Sequence, residues 1–314
     1  VIIKVPSYAK INWFLDIIGR RADGFHELLT LYQAVDLADT LIFNPDADDI
    51  QLETSGRDVP ADGDNLVLRA AGLLRKKTGK KTGIRITLRK LIPTGGGLGG
   101  GSGNAAITLL VLNYLWDCGL GIADLKELAA ELGSDVPFFL IGGPCIGWGR
   151  GEKIFLQEKI ETERELVLLY PGFRVSTSLA YSLLDKPEVA CGLKLTTDGL
   201  QHTIRRSEEI INFGNWGRMS NDFEGPVFAN FPGFENFVSK IGQVGIGKIM
   251  LSGSGSSLIA AGEVSFLDSI VNSIGNRDDL FQGVEIFRCR TLSRRSYTER
   301  LQGFFDYAGL ASDR

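Results

Sequence analysis

The amino-acid sequence predicts an α+β chain of two domains, on three observations. A dense run of glycines, residues 95–103, separates a segment that alternates apolar and polar residues from one with helical character. A turn-rich passage at 142–151 interrupts the pattern, which restarts near Phe155. The length, 314 residues, also exceeds what one hydrophobic core usually serves. The expected division is 1–154 and 155–314.

Taken in order, residues 1–18 read as one or two strands, and 28–43 is again strand-like. Residues 44–64 are acidic and turn-rich and read as a hairpin excursion on the surface. Residues 65–77 have a helical period and close on Arg75, Lys76 and Lys77, the charge that a helix C-terminus favours. Residues 84–89 alternate like a strand with one buried face. Beyond the glycines, 105–116 reads as a largely buried helix with Asn104 as its N-cap. A further helix covers 122–132 and stops at Gly133. In the second half, 165–170 is a strand closed by Pro171 and Gly172, and 176–182 starts a helix that carries Tyr181 inward. Residues 186–222 carry no clear pattern, and a helix is expected around 234–241. Two apolar strands, 248–251 and 258–261, flank a second glycine turn, Ser252-Gly253-Ser254-Gly255-Ser256-Ser257. The basic stretch 288–295 reads as a solvated edge.

Bulk composition narrows the function. A formal charge of −4 gives no reason to expect nucleic acid, so any phosphate site must be a local gathering of donors. Cys118, Cys145, Cys191 and Cys289 are scattered without a Cys-x-x-Cys pair, which points to reduced thiols and no zinc. No apolar run approaches bilayer-spanning length, and the first residues resemble neither a signal peptide nor an Arg- and Ser-rich transit segment. The expectation is a cytoplasmic protein with no membrane partner; a mature organellar form would look the same.

The chain is organised around Pro93-Thr94-Gly95-Gly96-Gly97-Leu98-Gly99-Gly100-Gly101-Ser102-Gly103. Glycines this dense lack the Cβ that would keep a ligand off the backbone. A loop that opens a helix gathers unpaired N–H groups at the positive end of the helix dipole, an arrangement that binds phosphate. A linker would mix in more polar residues and would not be bounded by two strongly patterned segments. A Walker loop needs Gly-Lys-Ser/Thr, which Gly101-Ser102-Gly103 does not supply. A dinucleotide fingerprint needs a fully buried strand before the loop, yet here that strand alternates and Pro93 intervenes.

Other candidates carry two readings each. Lys10, among apolar neighbours, reads by default as a solvent-facing strand residue. Asp135 follows a helix stop and precedes an apolar run, so it is a cap carboxylate or a partly desolvated one at a cleft mouth. Asp23-Gly24 marks a turn presenting Phe25 and His26, a pair able to stack on and hydrogen-bond a heterocycle.

Pro93-x-Gly-Gly-Gly-Leu-Gly-Gly-Gly-Ser102 resembles the ATP loop of the GHMP kinases, and the doubled Gly-Gly-Gly is closest to their diphosphocytidyl-methylerythritol kinase family. Ala9-Lys-Ile-Asn-Trp-Phe-Leu15, Arg21-Ala-Asp-Gly-Phe-His26, Leu132-Gly-Ser-Asp-Val-Pro-Phe-Phe139, Asn221-Asp-Phe-Glu224 and Leu251-Ser-Gly-Ser-Gly-Ser256 extend the likeness, in order, over nearly the whole chain. The resemblance implies the GHMP kinase fold, with a ribosomal-protein-S5-like N-terminal domain and a ferredoxin-like C-terminal domain around a shared cleft. It implies that Lys10 and Asp135 are the catalytic pair and that residues 93–103 bind ATP. It also implies that Phe25 stacks on a cytosine ring, His26 hydrogen-bonds it, Tyr181 stacks on its other face, and Asn12 lies near the substrate. ATP and Mg²⁺ are the implied cofactors, with no residue assigned as a direct metal ligand. The implied reaction is phosphorylation of the 2-hydroxyl of a cytidine-diphosphate methylerythritol by a monomer or weak homodimer. Two departures stand out: Gly103 replaces a usual serine, which removes a hydroxyl from the loop, and Ser134 replaces a small apolar residue beside Asp135. The rival readings are a GHMP kinase for mevalonate or homoserine, whose substrates have no base to stack, and a non-catalytic nucleotide-binding protein.

Overall fold

The computed structural model describes residues 1–184, 187–189, 196–231, 234, 247–275 and 283–304. Two strands of 19 residues, β1 (Ile3–Arg21) and β2 (His26–Asn44), pair antiparallel with register shifts at Tyr8/Ala9, Asn12/Phe14 and Ile17/Gly19. The turn between them is the one the sequence marks: Gly24 has φ +86° and Phe25 N–H donates to Asp23 Oδ1 at 3.2 Å. Next come β3 (Ile50–Gly56), α1 (Leu66–Thr78) and β4 (Ile84–Lys90). The hairpin expected over 44–64 is absent, because β3 pairs parallel with β4 and α1 is the crossover joining them. None of the residues of β3 is fully buried, so its apolar alternation is weak in the sequence. Asn65 caps α1 by accepting from Val67 N–H, and Gly79 ends it in the left-handed region.

The helix after the glycines, α2 (Gly100–Leu115), begins five residues before the expected start, with Gly99 at its N-cap. Asn104 is therefore not a cap but a buried residue of the helix interior, donating to Asp39 Oδ2 at 3.0 Å. The reason is close packing: a Cβ on Gly100 would meet Lys90 Nζ at 2.8 Å, and one on Gly103 would meet Ser7 Oγ at 2.9 Å. The helical glycines let the first turn press onto β4 and β1.

Next follow α3 (Ile122–Leu132), the single turn α4 (Val136–Phe139), β5 (Pro144–Gly149) and β6 (Lys153–Leu156). The passage at 142–151 thus holds a strand paired with Leu28–Gln33 of β2 rather than only turns. Its Gly147 makes room for a ring, since a Cβ there would stand 2.4 Å from Tyr32 Cε2. The expected boundary after residue 154 falls inside β6.

The second half contains β7 (Glu165–Tyr170), α5 (Thr177–Ser182), β8 (Glu188–Val189), α6 (Thr197–Ile211), β9 (Ser220–Asn221), α7 (Glu224–Asn230), β10 (Gly247–Leu251), β11 (Leu258–Gly262), α8 (Val264–Gly275), β12 (Glu285–Arg290) and α9 (Arg294–Gln302). The helix expected around 234–241 lies, apart from residue 234, outside the described residues. Strands β10-β11-β7-β12 form an antiparallel sheet whose order, counted along the chain, is 2-3-1-4, the ferredoxin-like arrangement. Strands β8 and β9 instead join β1 in the first sheet, and Leu292, Tyr297 and Leu301 return to the first core. The basic stretch 288–295 is a solvated edge only in part: Arg288 and Arg290 are exposed, whereas Thr291, Leu292 and Ser293 are buried. Among the described residues no helix is long and apolar enough to cross a membrane.

Candidate active site

Residues Pro93 to Ser102 line a cavity of about 1000 Å³ whose walls come from both halves of the chain. Gly95, Gly97 and Gly99 have φ of +71°, +74° and +67°, a backbone that only glycine adopts without strain. The loop is held by the second glycine turn: Ser257 N–H donates to Gly96 O at 3.1 Å and Ser252 Oγ donates to Gly97 O at 3.3 Å. Approach is so close that a Cβ on Gly97 would lie 2.0 Å from Ser252 O. Asn221 fastens the second turn in its place, its Nδ2 donating to Leu251 O and Gly253 O at 2.8 Å each. The start of α2, Gly100 to Ser102, lines this cavity, and the first N–H groups of a helix have no partner within it. Gly103 stands apart from the other loop residues. It does not line the cavity, and a side chain there would point at Ser7 Oγ, Tyr8 O and Phe139. The hydroxyl missing at 103 would therefore face β1 rather than a phosphate.

Lys10 is buried, against the default reading of a strand lysine, because α2 packs over its part of β1. Its main-chain N–H donates to Leu98 O at 2.9 Å, which ties the strand to the loop. Its Nζ donates to Asn12 Oδ1 at 2.8 Å and forms an ion pair with Asp135 Oδ2 at 3.4 Å. Asn12 is fixed in turn by donating to Thr30 Oγ1 at 2.7 Å, and Thr30 donates to Phe14 O at 2.6 Å. Asp135 makes no side-chain cap bond at α4 and leaves about a third of its side chain (31%) open. Its Oδ1 accepts from Tyr32 OH at 3.0 Å. Burial, and then the charge of Asp135, push the Tyr32 hydroxyl well above its ordinary range, so Tyr32 acts as a neutral donor. The arrangement is a carboxylate with one free side, between a buried ammonium and a phenol.

At the far side of the cavity Phe25 is half exposed, with the Arg150 guanidinium 4.8 Å from its ring centre. His26 and Tyr181 are stacked on each other, rings 4.9 Å apart at 27°, and Tyr181 meets the edge of Phe223. The resemblance implies that Tyr181 stacks on the second face of the base; in this structure its ring lies against His26. Burial, and then the charge of Arg20, hold the His26 imidazole below its ordinary value. Burial, with Asp135 adding to it, raises the Tyr181 hydroxyl.

Sequence reasoning missed Tyr32, Arg150 and the buried Asp39–Lys90 pair, joined at 2.7 Å beside the loop. For Tyr32 the signal is the pairing of β1 with β2, which sets it opposite Asn12. Among the described residues no group of three or more His, Cys, Asp or Glu side chains could hold a metal alone. The Asp135 carboxylate and Ser102 hydroxyl do line the same cavity as the glycine loop. Asp64 and Thr94 line it as well, and such oxygen groups suit Mg²⁺, which is commonly held by one or two carboxylates together with substrate phosphates.

Residues 65–143 match the family described as GHMP kinases N terminal domain. The chain is 38% identical over 255 residues to the 4-diphosphocytidyl-2-C-methyl-D-erythritol kinase of Thermodesulfovibrio yellowstonii, spanning 80% of this chain and 87% of that protein. It is also 38% identical over 258 residues to the kinase of the same name from Moorella thermoacetica, spanning 82% and 89%. A solved 4-(cytidine 5'-diphospho)-2C-methyl-D-erythritol kinase superposes with TM-score 0.74 at 31% identity, covering 93% of this chain and all of that one. Homoserine kinase from Cytophaga hutchinsonii, at TM-score 0.66 and 19% identity over 93% and 95% of the two chains, shares the fold alone. With the glycine loop, the Lys10–Asp135 pair and these relatives together, the chain belongs to the 4-diphosphocytidyl-2-C-methyl-D-erythritol kinase family and has the GHMP kinase fold.

Proposed function

We propose that the protein transfers the γ-phosphoryl group of ATP to the 2-hydroxyl of 4-diphosphocytidyl-2-C-methyl-D-erythritol, releasing ADP. The observation that carries this reading is the Lys10–Asp135 pair, 3.4 Å apart, in one cavity with the glycine loop and with Phe25 and His26. Asp135 takes the proton as the hydroxyl oxygen bonds to phosphorus and the bond to the ADP oxygen breaks. Lys10 offsets the charge that develops on the phosphoryl oxygens, and Tyr32 and Asn12 hold the pair in register. The N–H groups of residues 95–102 cradle the phosphates. Mg²⁺ would supply charge neutralisation across the phosphates when bound; the Ser102 hydroxyl, on the cavity wall with the loop, is an oxygen that would hold it, and Asp135 is kept for the proton.

The cytosine is assigned to the Phe25–His26 end, where Arg20 and Arg150 add positive charge for the diphosphate. Because Tyr181 stacks on His26, the base either lies on the Phe25 side or parts that pair. All these groups come from one chain, so a monomer suffices. We also read the domain division as following the two sheets, with the first unit extending through β6 and reclaiming α9. A phosphoryl-transfer assay with ATP and the cytidylyl erythritol, run beside mevalonate and homoserine, tests the function. ADP should form only with the cytidine alcohol; release only with mevalonate or homoserine would overturn the assignment.

A further inference from the structure

The phosphate loop has an unusual anchorage that the proposed chemistry does not use. Asp39, on β2, is fully buried and is the meeting point of four donors. Its Oδ1 accepts from the N–H groups of Leu91 and Ile92, each at 2.8 Å. Its Oδ2 accepts from Lys90 Nζ at 2.7 Å and from Asn104 Nδ2 at 3.0 Å. Lys90 Nζ also donates to Ile92 O at 2.6 Å. Leu91 and Ile92 immediately precede Pro93, and Asn104 immediately follows Gly103. One carboxylate thus holds both ends of the glycine-rich segment.

That placement matters because the segment has little shape of its own. Seven glycines in residues 93–103 leave its unbound backbone many conformations, and fixing each residue costs conformational entropy. Tying both ends to one buried point removes many of those states before a ligand arrives. We infer that Asp39 is a positioning residue for the nucleotide: it fixes the span between the exit of β4 and the first turns of α2, and so pre-shapes residues 93–103 to receive the phosphates. The inference rests on the reading of that segment as the ATP loop.

Asp39→Asn conserves size but replaces one acceptor oxygen with an amino group that faces Lys90 Nζ or the main-chain N–H groups. In the nucleotide-free protein, amide hydrogen exchange across residues 93–103 should accelerate about tenfold, the size of one lost charge-assisted hydrogen bond. KM for ATP should rise by about the same factor, while kcat and KM for the alcohol stay within about threefold. A lower Tm with exchange in 93–103 and KM for ATP both unchanged would overturn the inference, since a merely structural pair predicts that result. If Asp39→Asn does not fold, Asn104→Ala removes a single donor, and the same two readouts should move in the same direction; unchanged readouts there overturn it too. A wild-type chain that binds no ATP would overturn the loop reading and this inference together. Normal wild-type binding with an unaltered variant overturns the inference alone.

Discussion

Gly99 joins the phosphate loop to the catalytic lysine, and replacing it with alanine should damage stability and turnover at once. The residue sits at φ 67°, ψ 15°, where an L side chain costs about 1–2 kcal/mol. Its Cβ would lie 2.9 Å from both Lys10 Cγ and Phe139 Cζ. Neither neighbour is a free chain end: Phe139 is fully buried, and Lys10 is held at its tip by Asn12 and Asp135. Overpacking of this kind costs about 1–3 kcal/mol, so the total loss should be roughly 2–5 kcal/mol. Relief comes most simply by pushing the lysine stem aside, and misplacing a catalytic group by part of an ångström should lower kcat by about tenfold or more. Gly101→Ala is the control, because its Cβ would meet only Leu66 Cδ1 at 3.5 Å. That variant should keep or gain up to about 1 kcal/mol of stability from helix propensity. Urea unfolding and steady-state kinetics on both variants give the comparison. Equal stability of the two, with full kcat in Gly99→Ala, would refute the packing argument.

Tyr32→Phe removes the hydroxyl that donates to Asp135 at 3.0 Å, so kcat should fall about tenfold for about 1 kcal/mol of stability. Steady-state rates beside a melting curve check that split. The His26 imidazole is held below its ordinary value by burial and by Arg20, so it is neutral at pH 7. The unfolded chain binds the proton more readily, so this group's contribution to stability is complete above about pH 6.5 and is lost as pH falls through the folded value. KM for the cytidine substrate should be flat from about pH 8 to 6.5 and rise below that, and His26→Gln should flatten the profile. Chelation with EDTA should abolish turnover, with Mg²⁺ restoring it, yet leave Tm unchanged, because no cluster of described residues binds a metal as part of the fold.

Local patterns made some elements legible. The helical period of 65–77 with its basic end, and Gly133 after that of 122–132, set the ends of α1 and α3 within a residue. The strand 165–170 stands out because it is apolar and is closed by Pro171 and Gly172. Where several elements share one residue, local reading failed. Gly100 and Gly103 lie in α2 and are glycine because Lys90 and Ser7 leave no room for a Cβ there, and nothing nearby in sequence reports that contact. Gly147 looks like a turn residue but sits in β5 to clear the Tyr32 ring. The residues 44–64 hid β3, whose half-exposed positions carry little apolar signal. In the site, chemical type together with family resemblance singled out Lys10, Asp135, Phe25 and His26. Tyr32, Asp39 and Lys90 required strand pairing, and the covering of Tyr181 by His26 required coordinates.

The most direct test of the account is to pair turnover with nucleotide binding in Asp135→Asn. The variant leaves the glycine loop untouched and removes only the carboxylate that lies 3.4 Å from Lys10 Nζ. Turnover of the cytidylyl erythritol should fall by roughly 10²–10⁴ while the calorimetric Kd for ADP stays within about threefold of wild type. Near-normal turnover, with ADP still bound, would contradict the assignment of Asp135 as the proton acceptor.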